Sequence, residues 1–506
     1  MFRPLLSRWL GLTILAALLS GVFTGPAPAD VPEEDLDDLM GGFDDDADPI
    51  ETASDEDTPP GWLARWPFGT LLYDRVELNG SLGSGLAYSY LDHSVPHGDQ
   101  PGRTSHFGGL SRLDLDGFLQ VDIDLPRDWQ IRAEALGWYD FVYRIRGRGQ
   151  YGGAVLDVYE WQVDTGEVYL TGPVARHVDL TIGRKIVNWG RSDTLRVVDV
   201  INPLDNKEPG LVDIEDLRRP KAMIKLDAIS GPWSAQLLVI PENRYDRQPP
   251  RGSDFFPVLE DIPFAFQSPP VDGRSDFEGL PGLAARIDAR FSGWDLSLYG
   301  AYVDETGRRI DFSFDPLVGP ASLHARAEAN RFGLAAIAGN WTRGAWLAKF
   351  ELAYLQDIRV LRTPRPLPPP GLALPSSDDK DRIDVMVGLE YYGPDNLTIA
   401  LEVVNRQLLG ETKGLQSPLV NPHRSFEMAL RISRPFFREK LNVTALAVAF
   451  GERFQNGAIL RLSGDYELGE AWKAEAGILV FVGGPDDGLG AYDSNDRLFA
   501  GIKYSF

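Results

Sequence analysis

The chain ends Asp496-Arg497-Leu498-Phe499-Ala500-Gly501-Ile502-Lys503-Tyr504-Ser505-Phe506, and the alternation in this stretch decides the fold. Side chains of an extended backbone point to opposite faces with a period of two. Leu498, Ala500, Ile502, Tyr504 and Phe506 therefore share one face, and Arg497, Gly501, Lys503 and Ser505 the other. One face is apolar and the other polar, except that Phe499 interrupts the polar row. Alone, such a stretch suits the half-buried edge of a soluble sheet equally well, so its meaning depends on whether the rest of the chain repeats it.

The pattern recurs from Leu71 onward. Leu113, Leu115, Leu119, Val121 and Ile123 alternate, as do Ile131, Ala133, Ala135, Tyr139 and Phe141, then Leu283, Ala285, Ile287, Ala289 and Phe291, and Trp346, Ala348, Phe350, Leu352 and Tyr354. Each set spans about nine to eleven residues, the length with which a tilted strand crosses a bilayer. The opposite faces carry Asp114, Asp116 and Asp122, Arg286 and Asp288, Lys349 and Glu351, Asp384 and Glu390. Such charges are too costly against lipid and imply a lumen.

Turn signals alternate in length. Short ones lie at 126–128, 231–232, 292–293, 342–344, 393–395 and 469–471, and long ones at 92–107, 191–220, 244–281, 304–329, 362–381 and 409–422. Trp129, Trp233, Trp294, Trp341, Trp346 and Trp472 flank short turns, as an interfacial girdle requires. The terminal Phe506, with Tyr504 and Gly501 before it, resembles the closing-strand signal of Gram-negative outer-membrane barrels and marks these three as barrel-closure residues. The expectation for 61–506 is all-β: a transmembrane antiparallel up-and-down β-barrel of about eighteen strands, about sixteen being the competing count, with both termini periplasmic.

Composition agrees. A chain of 506 residues exceeds the roughly 250 to 300 at which one soluble core stops growing, whereas a closed sheet has no such limit. Mean hydropathy is −0.19, and no run after residue 30 reaches the roughly 18 to 20 apolar residues of a spanning helix. The absence of cysteine excludes disulfides and Cys-ligated zinc. Residues 1–29, with Arg3, Arg8, an apolar run and Ala27-Pro28-Ala29, read as an export signal peptide. Residues 30–60 hold fourteen acidic residues and no Lys or Arg, over half of the mature negative charge, and read as a disordered periplasmic tail. Within it Leu36, Leu39, Met40 and Phe43 fall at i, i+3, i+4, i+7, the face of a short amphipathic helix fit to dock a partner; the alternative is a solvated spacer. The net charge of −24 disfavours nucleic acid.

The densest constellation is Gly183-Arg184-Lys185-Ile186-Val187-Asn188-Trp189-Gly190-Arg191-Ser192-Asp193, continuing through Ile201-Asn202-Pro203-Leu204-Asp205 to Arg218-Arg219-Pro220. A loop this rich in charge, yet carrying Leu195, Val197, Val198 and Val200, can bury a face. It is expected either to fold inward as a pore constriction formed by Arg184, Lys185, Asn188, Arg191, Asp193, Arg218 and Arg219, or to cap the barrel. Gly-Arg-x-x-x-x-Trp-Gly, Ile-Asn-Pro-Leu-Asp and the later Gly252-Ser253-Asp254-Phe255-Phe256 resemble a proteobacterial family of outer-membrane barrels catalogued as a domain of unknown function (DUF1302-like). Members of that family often accompany RND-type exporters and periplasmic lipid-carrier-like proteins. The resemblance therefore implies a conduit for hydrophobic or lipid-like material that works with periplasmic partners and the barrel assembly machinery.

A general diffusion porin or polysaccharide-export channel is the first alternative, and a structural or adhesion barrel with a filled lumen the second. His93, His97 and His106 share one irregular loop containing Pro96 and Gly102, which argues against a metal site. No Gly-x-Ser-x-Gly pattern is present, and neither catalytic residue nor cofactor is expected. The Pro- and Leu-rich run from Pro364 to Pro375 reads as a stiff outer loop.

Overall fold

Alternating apolar and polar side chains build a wall whose greasy face points outward. The computed structural model describes residues 75–506 apart from 101, 213–215, 257–274, 278, 308, 314–323, 329, 368–371, 416–423 and 485–488. The expected export signal (1–29) and the expected acidic tail (30–60) with Leu36, Leu39, Met40 and Phe43 lie outside the described residues. Among those described, eighteen strands form one sheet: β1 (Val76–Ser89), β2 (Gly109–Leu125), β3 (Trp129–Asp140), β4 (Trp161–Ala175), β5 (Val178–Lys185), β6 (Lys221–Ser230), β7 (Trp233–Ile240), β8 (Gly282–Phe291), β9 (Trp294–Asp304), β10 (Arg331–Arg343), β11 (Trp346–Leu367), β12 (Leu372–Tyr392), β13 (Thr398–Leu408), β14 (Arg424–Phe436), β15 (Leu441–Phe450), β16 (Ala458–Glu467), β17 (Trp472–Val482) and β18 (Arg497–Ser505). Each pairs antiparallel with the next, and β18 returns to β1 from Ser81↔Ser505 to Ser89↔Arg497, closing the barrel.

The burial pattern is the inverse of a soluble protein's. Leu82, Leu119, Leu298 and Val387 are exposed on the outside, and Val163 is 72% exposed, while Asp288, Glu351, Asp384 and Glu402 are buried inside. Lipid cover would stabilise each outward side chain by about 1.5–3 kcal/mol, and water would leave an apolar belt far larger than soluble monomers present. At the short-turn end the aromatic side chains interlock. Phe291 stacks on Trp294 at 4.5 Å, Trp346 lies 4.7 Å from Tyr391, and Trp472 lies 5.0 Å from Tyr504.

Phe499, the residue out of pattern, faces the lumen. It is buried with Leu479, Phe481, Leu489 and Tyr492 under Phe255 from another loop. Gly477 makes room for it, since a Cβ there would sit 2.4 Å from the Phe499 ring.

Two expectations about connections change. The stretch 362–381 is no long loop: β11 and β12 continue their ladder to Leu367↔Leu372 with two register shifts, so only 368–371 separate them. A proline run favours extended backbone, and bulged strand ends accept it where a continuous central ladder would not. Conversely, 141–160, which the alternation of lengths above does not include, is a long connection, and it folds into two short helices, Val142–Arg146 and Gly153–Tyr159, separated by the glycines at 147, 149 and 152.

Candidate functional site

The connection between β5 and β6 enters the barrel over its described residues, 186–212 and 216–220. Asn202, fully buried, closes its neck: its Oδ1 accepts from the Val187 N–H at 2.8 Å while its Nδ2 donates to the carbonyls of Lys185 and Arg219 at 3.2 and 2.9 Å. The Arg219 N–H donates to the Pro203 carbonyl at 2.7 Å, and Asp205 N–H to Leu217 at 2.8 Å, so Pro203–Asp205 pairs back along 217–219. The glycines of Gly-Arg-x-x-x-x-Trp-Gly have local reasons. Gly183 (φ 138°) lies against the Val168 carbonyl, and Gly190 (φ 93°) against Glu351, whose Oε1 a Cβ would approach to 2.8 Å. Between them Trp189 is buried, donating from Nε1 to Gln236 Oε1 at 2.8 Å and packing 5.3 Å from Tyr299.

Two wall carboxylates hold the next segment. Glu351 on β11 accepts from the backbone N–H groups of Arg191, Ser192 (2.9 Å) and Val198 (3.0 Å). Glu402 on β13 accepts from the Ser192 hydroxyl (2.7 Å) and from the N–H groups of Asp193 (2.7 Å), Thr194 (3.0 Å) and Leu195 (3.1 Å). Both carboxylates are buried, so each charge is compensated by several fixed donors, the condition under which a buried carboxylate is tolerable. Beside them Val187, Leu195, Val197, Val198 and Ile201 pack on an apolar stretch of inner wall that includes Leu334, Leu355, Met386 and Val404.

Farther along, the loop reaches the other side of the barrel. Lys207 lies 3.6 Å over the Trp138 ring of β3, Glu208 lies 3.5 Å from Arg112 of β2, and a Cβ on Gly210 would touch Ile459 and Leu479 at 3.1 Å. A cavity of about 220 Å³ remains there, lined by Asp114, Trp138, Tyr159, Lys207 and Glu208 among others.

The structure separates the residues assigned to a constriction. Asn188 and Asp193 are exposed in the lumen; Asp193 pairs with Lys349 at 2.7 Å, and Asn188 accepts from Arg218 at 3.2 Å. Arg191 is drawn to the wall by Asp295 (2.6 Å) and Ser297 (2.7 Å). Arg184 pairs with Glu242 at 2.6 Å, and Lys185 lies 3.9 Å over the Tyr169 ring, both at the barrel end of the neck. Arg218 pairs with Asp199 at 2.9 Å inside the neck. Arg219 is buried beside Arg244 and Arg247 around Asp164, and burial together with those two cations pushes its guanidinium down to about 10. The anchoring carboxylates Glu351 and Glu402 are legible in the sequence only as charges between apolar residues, and Glu242 only as one charge at the start of a long connection.

The Gly252-Ser253-Asp254-Phe255-Phe256 stretch forms a second junction. Gly252 (φ 85°) packs on the backbone at Gly98, Phe255 is buried, and Asp254 meets Arg497 at 3.0 Å and His93 at 2.5 Å. His97 and His106 turn elsewhere, to the N–H of Asp99 and to the Ser94 hydroxyl. Burial raises the Asp254 carboxyl, but Arg497 and His93 outweigh it and hold it below its ordinary 3.8. A depressed carboxylate contributes stability that is fully present above about the unfolded value and is lost as pH falls through the folded one. Backbone exchange at 252–256 and 495–497, corrected for intrinsic rate, is therefore expected to be slow at pH 7 and to rise at pH 3. Equal protection at both would mean that the ion pair does not hold this junction.

A closed antiparallel sheet with an apolar exterior, aromatic rim and charged lumen crossed by its own loop defines an outer-membrane-type β-barrel. The chain belongs to the family described as protein of unknown function (DUF1302), which it matches over residues 103–506. No curated protein matches it in sequence. Solved structures similar to it include OccAB3 of Acinetobacter baumannii (10% identity, 85% of this chain and 99% of that one, TM-score 0.47). OccAB1 of the same organism (10%, 85% and 96%, 0.46) and the anion-selective porin from Comamonas acidovorans (10%, 85% and 99%, 0.38) are also similar.

Proposed function

We propose that this barrel is a gated outer-membrane conduit for a hydrophobic or lipid-like substrate, with the 186–220 loop as constriction and gate. The observation that carries this reading is the apolar inner wall behind the loop: Phe332, Leu334, Leu355, Met386 and Val404 face inward, where a water-filled pore would carry polar side chains. Displacing the loop would uncover these apolar side chains, interspersed in the strand register with the inward charges of Glu351, Arg382 and Asp384, as a mixed surface suited to an amphipathic molecule. Asn188 and Asp193 present polar groups on the loop's open side, and the remaining constriction residues fix its position.

Partners are part of the proposal. A periplasmic carrier and an RND-type exporter would dock on Leu36, Leu39, Met40 and Phe43, with both termini in the periplasm. Replacing these four with Ser is expected to reduce transport severalfold with the barrel assembled in normal amount. Transport unchanged would leave the tail a spacer.

A second reading, a structural barrel with a filled lumen, is favoured by the contacts the loop makes on opposite walls at Glu402 and Trp138. Entry of an apolar fluorescent probe into cells with and without the protein separates the two. Faster entry with the protein, abolished by substituting Arg for Met386 on this wall, supports the conduit. Equal entry supports the filled barrel.

A further inference from the structure

The outer face of the barrel carries a depression at one level of β1 to β4. The aligned outward residues there are Leu82, Gly117, Gly137 and Val163, so two neighbouring strands present no side chain between two exposed apolar ones. With strands about 4.8 Å apart, the floor between Leu82 and Val163 is roughly 14 Å wide. The groove holds about 600 Å³, within the ~300–1,000 Å³ of sites for small molecules. Neither glycine has a positive φ, and a Cβ on Gly117 would meet nothing nearer than 3.5 Å. A Cβ on Gly137 would lie 3.1 Å from the Gln162 carbonyl, so close strand approach favours glycine there, but neither a turn nor a tight contact demands glycine at 117.

The rim toward the long connections is aromatic and then basic. Tyr139 and Trp161 stand directly above the glycines. Arg144 lies over the Tyr139 ring at 5.8 Å with no acidic partner among the described residues, and Arg148 pairs with Glu160 at 2.9 Å while remaining largely exposed. Among the described residues, Arg146 next to them donates only to the carbonyls of Leu110 and His106. On the same segment Ile145 is 62% exposed and Phe141 is exposed beside it, so the first helix of the 141–160 connection presents apolar and cationic side chains together. An apolar slot ending in an aromatic belt and then a set of arginines matches one molecule in layers: acyl chain, interface, anionic headgroup.

We infer that this groove is a binding site for a phosphorylated glycolipid of the outer leaflet, an acyl chain lying over Gly117 and Gly137 and a phosphate meeting Arg144 and Arg148. The site rests on the proposed orientation, with long connections facing outward, and is independent of what passes through the lumen. Arginine supplies paired donors to phosphate, and its charge adds to the attraction at an anionic surface.

The test uses the full-length barrel in phosphatidylethanolamine vesicles carrying lipid A, its dephosphorylated form, or phosphatidylglycerol, with bound lipid read by native mass spectrometry. Wild type is expected to retain lipid A over the other two. Gly117→Leu, which fills the floor, and Arg144→Gln with Arg148→Gln, which strip the rim, are each expected to weaken retention about ten-fold with heat-modifiable folding unchanged. No preference for lipid A, or variants that retain it like wild type, would overturn the site. Orientation is read separately. The chain has no cysteine, and Gly149 has open space around it, so a Gly149→Cys barrel on intact cells reports its side by labelling with a membrane-impermeant maleimide. Failure to label would overturn the outer-leaflet assignment even where lipid A binds in vesicles.

Discussion

Replacing Glu351 and Glu402 together with Ala is expected to convert a quiet channel into one that opens in brief bursts in planar bilayers, with the barrel assembled normally. The two carboxylates accept hydrogen bonds from Arg191, Ser192, Asp193, Thr194, Leu195 and Val198. Bonds to a charged group contribute about 1.5–3 kcal/mol each, so even a third of their sum is comparable to the ~5.5 kcal/mol that inverts a 1:99 equilibrium.

That loss does not expel the loop outright. Val187, Trp189, Leu195, Val197, Val198 and Ile201 stay packed on the wall, each contributing about 1.5–3 kcal/mol. The apolar and carboxylate anchors are therefore of similar strength, and removing one leaves a loop that visits the open state. Adding Trp189→Ser, which also frees Gln236, is expected to hold the pore open and sensitise cells to vancomycin. Closed, quiet traces from the double and triple variants alike would mean that the loop is not the gate.

What the sequence made legible follows from how each feature is encoded. The barrel was readable because a strand with lipid on one side and a lumen on the other needs strict alternation, and β8, β11 and β18 all display it. Length alternation gave the topology, since a short turn after Leu125 or Phe291 leaves its two strands only one way to pair. The loop was readable as charge mixed with apolar residues, but its anchoring was not. Glu351 and Glu402 lie some 160 and 210 positions beyond the amides they bind, and nothing local distinguishes them from other inward carboxylates. Arg218 and Arg219 show the converse. Their charges suggested a pore lining, whereas Asp199 and Asp164 draw them into the neck, a pairing set by tertiary contacts alone. Phe499 stands in the sequence as an exception to the polar row and is explained by the cluster it shares with Phe255, which comes from the far side of the sequence.

Phe506→Asp is expected to reduce assembled, heat-modifiable barrel about ten-fold or more, which corresponds to ~1.4 kcal/mol or more at the closing step. The last residue completes the seam: Phe506 N–H donates to the Gly80 carbonyl at 2.9 Å, Gly80 N–H donates back at 2.8 Å, and the ring lies on Gly80, where a Cβ would come within 2.6 Å of it. The ring also stacks 6.0 Å from Tyr504, which continues to Trp472 at 5.0 Å. Until β18 meets β1, both edges expose unpaired N–H and C=O groups to lipid, at several kcal/mol each, so closure proceeds as one cooperative step. A charge near the membrane interface costs only about 0–1 kcal/mol directly, so the defect arises from failing to seat the ring rather than from burying a charge. Gly80→Val separates these causes. It introduces no charge and raises strand propensity, yet it occupies the place of the ring. If seating decides closure, Gly80→Val assembles as poorly as Phe506→Asp while Phe506→Tyr assembles normally. Normal assembly of Gly80→Val would instead assign the defect to charge, and normal assembly of Phe506→Asp would remove the terminal residue from the closing step.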